Sequence, residues 1–220
     1  MNKTAIILGA TGLTGGFLLE QLIADKNYSK IKLFSRSSAD EKSEKVEEFL
    51  VDLLELENQK EAFKADVVFC CIGTTAAKTK DKKKYKAIDY GIPVTAAKLS
   101  KENNIETFVV LSSIGADAKS NTFYTKVKGE MENAVLKQNI SNTFILRPSM
   151  IGGKRDEFRL REKIGKVFMK ILKPLFFGGL KKYRIIHPKT IANCMQILAN
   201  QKAEKSIFIS NEIEEISKSN

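Results

Sequence analysis

The sequence predicts an α/β protein built on a doubly wound parallel sheet. Strand signals and helix signals alternate along the chain, which is typical of repeated β-α-β units. Two strand signals, at 67–72 and 108–111, are continuously apolar, as strands covered by helices on both faces must be. The first strand also runs directly into a glycine turn that opens a helix. Ligands of such sheets gather at the carboxyl ends of the strands, so we expect the functional site there.

The N-terminal half contains four predicted strands and three predicted helices. The apolar run at 4–8 forms the first strand, and Phe17, Leu18 and Leu22 give the following segment an apolar helical face. A lysine-rich loop leads into the third helix. The same patterns predict strands at 31–35, 48–51 and 67–72 and helices at about 14–25, 59–64 and 82–102.

The C-terminal half continues the alternation to the end of a single domain, residues 1–210. About 150–190 is expected to be a lid or insertion on the substrate side, and 211–220 is polar enough to be a frayed tail. We predict strands at 107–112, 143–147 and 206–210 and helices at about 122–139, 158–173 and 188–201.

The predicted helix at 158–173 is amphipathic. Lys163, Lys166, Lys170 and Lys173 form one stripe, and apolar side chains form the opposite one. A lid over the substrate pocket or a contact in a homodimer buries the apolar stripe most simply. Contact with a membrane surface is the less simple alternative.

The composition limits the compartment and the partners. The 220 residues carry a formal net charge of +11, but the lysines are scattered and there is no Trp. The densest cluster, Lys78 to Lys86, contains only one aromatic residue, so we expect no specific nucleic-acid partner. Cys70, Cys71 and Cys194 have no metal-binding spacing, which indicates a reduced, intracellular protein. With no signal peptide and no transmembrane span, a cytoplasmic protein is expected.

Glycines at the end of the first strand predict a diphosphate site. Gly9 supplies a tight turn, Gly12 lets a ligand approach the backbone, and Gly15 brings helix and sheet together. Backbone N–H groups at the start of the helix then bind the diphosphate. The candidate cofactor-binding residues here are Gly9, Thr11, Gly12, Leu13, Thr14 and Gly15.

Residues after the second and third strands bear on which dinucleotide binds. No acidic residue follows the second strand where NAD-specific proteins place one on the ribose 2′-hydroxyl, and Arg36 there suits a 2′-phosphate. NADP(H) is therefore the predicted cofactor, and NAD(H) is the second candidate. The alternative for Arg36 is a position on a solvated loop with no role in cofactor binding. Asp52 either accepts a hydrogen bond from the adenine amino group or caps the next helix, and the sequence favours neither role over the other.

Loops after the fourth and sixth strands are further cofactor candidates. Ile72, Gly73 and Thr74 place a glycine where backbone passes close to the cofactor, although an ordinary turn would look similar. Pro148 sets a turn that lines the nicotinamide pocket or is simply a loop. His187 is the only histidine, which excludes His-based triads and His-rich metal sites, so no metal is expected. It precedes a helix and is expected to be structural, with contact to the substrate as the alternative.

A Tyr–Lys pair carries the predicted chemistry. Tyr124 and Lys128 share a helical face, where the ammonium stabilises a tyrosinate. Tyr28 and Lys32 match the same pattern but lead into a strand, where this spacing does not bring them together. The strand before the Tyr124 helix ends in a double serine, Ser112 and Ser113 in the sequence.

Four segments, in this order, resemble the short-chain dehydrogenase/reductase superfamily: Gly9-Ala-Thr-Gly-Leu-Thr-Gly15, Cys70-Cys-Ile-Gly-Thr-Thr75, Leu111-Ser-Ser-Ile-Gly-Ala-Asp117 and Tyr124-Thr-Lys-Val-Lys-Gly-Glu130. They look most like its atypical, epimerase/dehydratase-like branch of Tat-interacting oxidoreductase-like proteins, over about residues 3–200. The resemblance implies a Rossmann fold, NADP(H) and a catalytic set of Tyr124, Lys128 and either Ser113 or Ser112. It implies no particular substrate.

These observations predict an NADP(H)-dependent oxidoreductase that transfers a hydride to or from a carbonyl or alcohol of an unidentified small molecule. A non-catalytic, NADP(H)-binding regulator of a protein partner is the alternative. The intact Tyr–Lys pair favours the enzyme, because a pure binder needs the ribose contact but not the phenol.

Overall fold

One parallel sheet forms the centre of the molecule. The computed structural model describes residues 2–75, 78–152, 185–201 and 204–219. Its strands are β1 (Lys3–Leu8), β2 (Tyr28–Ser35), β3 (Val46–Leu50), β4 (Val67–Cys70), β5 (Thr107–Leu111), β6 (Asn142–Arg147) and β7 (Ile207–Ile209). They pair in the order β3-β2-β1-β4-β5-β6-β7, and every pairing is parallel. The predicted doubly wound sheet is confirmed.

Helices cover both faces of the sheet. They are α1 (Leu13–Ala24), α2 (Lys82–Lys86), α3 (Ile92–Glu102), α4 (Phe123–Leu136), α5 (Pro188–Leu198) and α6 (Ser210–Ile216). One apolar core joins α1, α5 and α6 to the sheet, and a second core joins α3 and α4 to the opposite face. None of the described helices is long and apolar enough to cross a membrane.

The direction in which the sheet is wound reverses between β1 and β4. The chain moves outward from β1 through β2 to β3 and then returns to the other side of β1 to form β4. The connections that leave β1 and β4 therefore diverge, and a crevice opens at the carboxyl ends of these two strands.

The helix predicted at 82–102 is interrupted. It forms α2, a π-helical turn at Ala87–Gly91 and then α3. Pro93 lacks the N–H that would bond to the carbonyl of Asp89, so regular α-helical bonding cannot run through this point. The N–H of Ile92 instead bonds to the carbonyl of Ala87, five residues earlier.

Two further segments differ from the sequence prediction. The prediction of a helix at 59–64 is wrong, and a 3₁₀ segment occupies Leu53–Gln59 instead. This segment begins earlier than predicted because the Asp52 carboxylate accepts a hydrogen bond from the N–H of Leu54 (2.9 Å). The predicted frayed tail at 211–220 instead contributes to α6. Ile213 is completely buried in the core, which anchors this helix despite its acidic composition.

The region expected to form the lid, about 150–190, is described only at its two ends. The amphipathic helix predicted at 158–173, with its lysine stripe, lies outside the described residues. The lid, dimer and membrane interpretations of that helix therefore remain predictions.

Candidate active site

The glycine turn folds tightly onto the start of α1. Gly9 has a φ of +87°, and its carbonyl accepts from the N–H of Gly12 at 3.0 Å. A Cβ on Gly15 would lie 2.1 Å from the Gly9 carbonyl oxygen, so only glycine fits there. Gly12 is the N-cap residue and has no side chain to cap the helix. The first N–H groups of α1 are thus available to an anionic ligand.

The loop after β2 is fixed by an acidic residue that the sequence analysis missed. Arg36 is exposed directly after β2. The carboxylate of Glu48, on β3, accepts from the Ser38 hydroxyl (2.6 Å) and from the N–H of Ala39 (2.7 Å). Asp52 uses one oxygen as a helix cap, so the capping role is observed, and the other oxygen has no partner among the described residues.

The loop after β4 lies beside β1. The N–H of Cys71 bonds to the carbonyl of Leu8 at 2.9 Å, which holds the start of this loop at the crevice. A Cβ on Gly73 would lie 3.7 Å from Asp89 Oδ1 and 3.8 Å from Lys128 Nζ. The predicted close-approach glycine therefore borders the predicted catalytic lysine, and Thr74 follows it.

The Tyr124–Lys128 pair lies on α4, as predicted. The Lys128 side chain is 8% exposed, and its Nζ lies 2.8 Å from Oδ1 of the fully buried Asp89. The other oxygen of Asp89 accepts from the N–H of Thr74 at 2.8 Å. Asp89 was not predicted, because nothing in a single sequence distinguishes an acidic residue that points inward from one on a solvated helical face.

Only one of the two candidate serines is engaged by a buried partner. The Ser112 hydroxyl donates to Glu132, which is itself buried on α4. Arg147, at the end of β6, holds the same carboxylate through Nε (2.9 Å) and its terminal nitrogen. This Glu132 contact raises the pKa of Arg147. Ser113 is half-buried and takes no part in this network.

Close packing fixes the serine loop against α4. A Cβ on Gly129 would lie 2.1 Å from the backbone nitrogen of Ala118. The N–H of Asp117 bonds to the carbonyl of Thr125 at 3.1 Å. Because the loop and the helix are in backbone contact, Ser113 and Tyr124 are carried by one rigid unit.

Pro148 and His187 are held by backbone contacts. Pro148 is buried, and its carbonyl accepts from the N–H of Ile114 at 2.9 Å, which ties the ends of β5 and β6 together. His187 caps α5, with Nδ1 accepting from the N–H of Lys189 at 3.2 Å, and its ring lies 5.6 Å from that of Phe17. The structural role expected for His187 is the one observed.

The cysteines are unsuited to nucleophilic chemistry. Burial raises the pKa of Cys70 to about 11 and that of Cys194 to about 12, and it raises the pKa of Cys71 as well. Such thiols stay protonated at neutral pH and behave as small apolar groups. Within the described part of the chain, no group of His, Cys, Asp and Glu side chains could hold a metal ion.

Comparisons with known proteins identify the family of this chain. An NAD(P)H-binding family model matches residues 9–164. Protein HTATIP2 of Rattus norvegicus is 32% identical over 182 residues, which cover 81% of this chain and 75% of the relative. Protein FMP52-1, mitochondrial, of Scheffersomyces stipitis is 35% identical over 158 residues, covering 70% of this chain and 69% of the relative.

Solved structures share the fold at low sequence identity. A UDP-glucose 4-epimerase from Thermotoga maritima has a TM-score of 0.70 and 13% identity, with 98% of this chain and 81% of the epimerase covered. MoeE5, in complex with UDP-glucose and NAD, has a TM-score of 0.69 and 14% identity, with 97% and 80% covered. At these identities the likeness shows the shared Rossmann fold alone.

The names of the FMP52 relatives correct the predicted cellular location. The FMP52 proteins of several yeasts are named mitochondrial, which contradicts the cytoplasmic location expected from the sequence. That expectation relied on reduced cysteines and on the lack of a secretory signal. Both features also suit a mitochondrial protein, so neither could discriminate between the two compartments.

Proposed function

This chain belongs to the HTATIP2 branch of the atypical short-chain dehydrogenase/reductase family, and from that premise we propose that it is an NADP(H)-dependent oxidoreductase. Its substrate would be a carbonyl compound or the corresponding alcohol. One observation carries the proposal: Tyr124 and Lys128 share a face of α4, and Lys128 borders the glycine of the loop after β4.

Residues along the carboxyl edge of the sheet would hold the cofactor. Backbone N–H groups of the glycine turn, including those of Thr11, Leu13 and Thr14, would bind the diphosphate, and Arg36 would bind the 2′-phosphate. The second oxygen of Asp52 would accept from the adenine amino group. Lys128 would donate to the nicotinamide ribose hydroxyls, and the remaining contacts would come from Ile72, Gly73, Thr74 and Pro148.

The chain's own residues supply the proton and its acceptor. When bound, the cofactor supplies the hydride that reduces the carbonyl carbon. The Tyr124 phenol donates its proton to the carbonyl oxygen, and in the reverse direction the phenolate accepts the proton of the alcohol. Lys128 stabilises the phenolate. Ser113 rather than Ser112 would donate a hydrogen bond to the substrate oxygen, because the Ser112 hydroxyl is held by Glu132.

The test replaces the phenol while keeping its ring. Tyr124→Phe should lower turnover by about 10²-fold or more, because general acid–base catalysis contributes about that much. Its affinity for NADPH should stay close to that of the wild type. Tyr28→Phe is the control and should retain turnover, because Tyr28 and Lys32 have the same spacing as Tyr124 and Lys128 but lie on β2. NADPH absorbance is followed with a panel of aldehydes, ketones and quinones.

Two results would contradict the proposal in different ways. If Tyr124→Phe turns over the panel as fast as the wild type, the proposed mechanism is wrong. If the wild type binds NADPH tightly and turns over no compound on a broad panel, the non-catalytic regulator replaces the enzyme.

A further inference from the structure

Two pairs of side chains face each other across two helical segments. Tyr85 and Asp89 are four residues apart on α2 and the π-helical turn, as Tyr124 and Lys128 are on α4. The rings of Tyr85 and Tyr124 meet edge to face, with centroids 4.8 Å apart and an interplanar angle of 73°. Asp89 Oδ1 and Lys128 Nζ lie 2.8 Å apart. Each member of the candidate catalytic pair therefore has its own partner.

Burial makes the Asp89 contacts strong. Asp89 is completely buried, and Tyr85 is only 4% exposed. A buried carboxylate without partners would cost several kcal/mol, so its contacts with Lys128 and with the N–H of Thr74 are needed for folding as well. Any change that releases Asp89 also releases the lysine and the loop after β4.

The Tyr85 phenol remains protonated beside this carboxylate. Burial raises the pKa of Tyr85, and the negative charge of Asp89 and a hydrogen bond to it raise the pKa further. A protonated phenol donates a hydrogen bond to a carboxylate, whereas a phenolate would repel it. The geometry that links Tyr85 to the candidate catalytic pair is the contact of its ring with the Tyr124 ring.

The interrupted helix supplies the geometry. The π-helical turn begins directly after α2 and contains Asp89, so the residue that contacts Lys128 lies where regular helical bonding is interrupted. Such turns are frequently found at functional sites. Tyr85 is the one buried residue of α2, whose other four residues are lysines.

We propose that Tyr85 and Asp89 are positioning residues for the Tyr124–Lys128 pair. Asp89 fixes the Lys128 ammonium beside Gly73, and Tyr85 fixes the Tyr124 ring. Both act through the catalytic pair and neither transfers a proton to the substrate. The inference rests on the proposed function, since it assigns the reacting groups to Tyr124 and Lys128.

The experiment compares Asp89→Asn, Tyr85→Leu and Tyr85→Phe with the wild type. Tyr90→Phe is the matched control, because Tyr90 follows Asp89 on the same turn but its ring faces Lys86 Nζ, 5.4 Å from the centroid. Calorimetry gives the Kd for NADPH. Phenanthrenequinone is the carbonyl probe for kcat and KM, and thermal unfolding gives Tm.

Asp89→Asn is expected to raise the Kd for NADPH about 3- to 10-fold, because the ribose contact of Lys128 is no longer fixed. It should lower kcat about tenfold or more with little change in KM for the quinone. Tyr85→Leu should lower kcat about tenfold. Tyr85→Phe keeps the ring and should recover most of that loss, and Tyr90→Phe should match the wild type.

A purely structural role predicts something else: Tm falls in Asp89→Asn and Tyr85→Leu while kcat and Kd stay at wild-type values. That result overturns the proposal, as does an equal loss of kcat in Tyr90→Phe. If the wild type does not turn over the quinone at all, the proposed enzyme is in question and the NADPH measurement decides alone. An unchanged Kd in Asp89→Asn then refutes the positioning role, and a raised Kd supports it.

Discussion

Gly15 approaches the carbonyl of Gly9 so closely that no side chain fits between them. A Cβ on Gly15 would lie 2.1 Å from that oxygen and 3.0 Å from Cα of Ala10. β1, the glycine turn and the first helical turn of α1 are therefore in close backbone contact. This contact fixes the direction of the N–H groups at the start of α1.

The first prediction concerns this contact. Gly15→Ala should lower the free energy of unfolding by about 1–3 kcal/mol, because the turn must move away from the helix. It should also weaken NADPH binding. Urea unfolding and calorimetry measure the two effects.

The neighbouring residue provides the control for that prediction. A Cβ on Gly16 would lie 3.5 Å from the carbonyl oxygen of Ala10, an ordinary contact. Gly16→Ala should therefore bind NADPH normally and be stabilised by up to about 1 kcal/mol, since alanine favours the helix. Equal effects of the two substitutions would show that the Gly9–Gly15 contact is unimportant.

The second prediction concerns cofactor choice. Arg36 is exposed after β2, where a 2′-phosphate would lie. A charge-assisted contact of about 1.5–3 kcal/mol corresponds to roughly a 10- to 150-fold preference for NADPH over NADH. Arg36→Ala should remove most of this preference, and calorimetric titration of both cofactors measures it. A preference that survives the substitution would assign 2′-phosphate binding to other residues.

The third prediction separates the two serines. Ser113→Ala should lower turnover by about 10²-fold, the usual effect of removing a donor to a developing oxyanion. Ser112→Ala removes one donor from buried Glu132 and should lower the free energy of unfolding by about 1–3 kcal/mol, with a smaller effect on turnover. Steady-state kinetics and urea unfolding of both variants decide. The reverse pattern would make Ser112 the substrate-binding serine.

The fourth prediction concerns alkaline pH. Burial, and next the charge of Asp25, raises the pKa of Tyr28 to about 12 in the folded protein. The unfolded phenol titrates near 10, so the stabilisation is complete below about pH 10 and is lost as the pH rises through about 12. The loss should reach about 2–3 kcal/mol.

Tyr28→Phe cannot ionise, so its free energy of unfolding should fall less steeply over this pH range. Urea unfolding of both proteins at several alkaline pH values gives the two slopes, and their difference isolates Tyr28 from other titrating groups. Parallel slopes would mean that the Tyr28 hydroxyl ionises as easily in the folded protein as in the unfolded one.

Local patterns predicted the parts of the site that depend on short spacing. The glycine turn and the Tyr124–Lys128 pair are each defined within a few residues, and each lies where the sequence indicated. Apolar runs likewise predicted β4 and β5, because a strand buried on both faces has few polar residues.

The partners of that site depend on contacts between distant segments. Asp89 lies on a π-helical turn and reaches Lys128 across 39 positions, and Glu132 of α4 meets Arg147 at the end of β6. A periodic pattern shows which face of a helix is apolar. It does not show which charged residue will be buried against a partner from another element.

The side chains that pack against α1 come from α5, near the C-terminal end of the chain. Leu18 and Leu22 share a core with Met195 and Leu198 of α5, and Gln196 donates to Asp25 at 2.8 Å across 171 positions. During synthesis the glycine turn leaves the ribosome long before the residues that cover its helix. Contacts of such long range slow folding, so the apolar face of α1 stays exposed, and accessible to chaperones, until α5 has been synthesised. A fragment that stops before α5 would aggregate rather than bind a nucleotide.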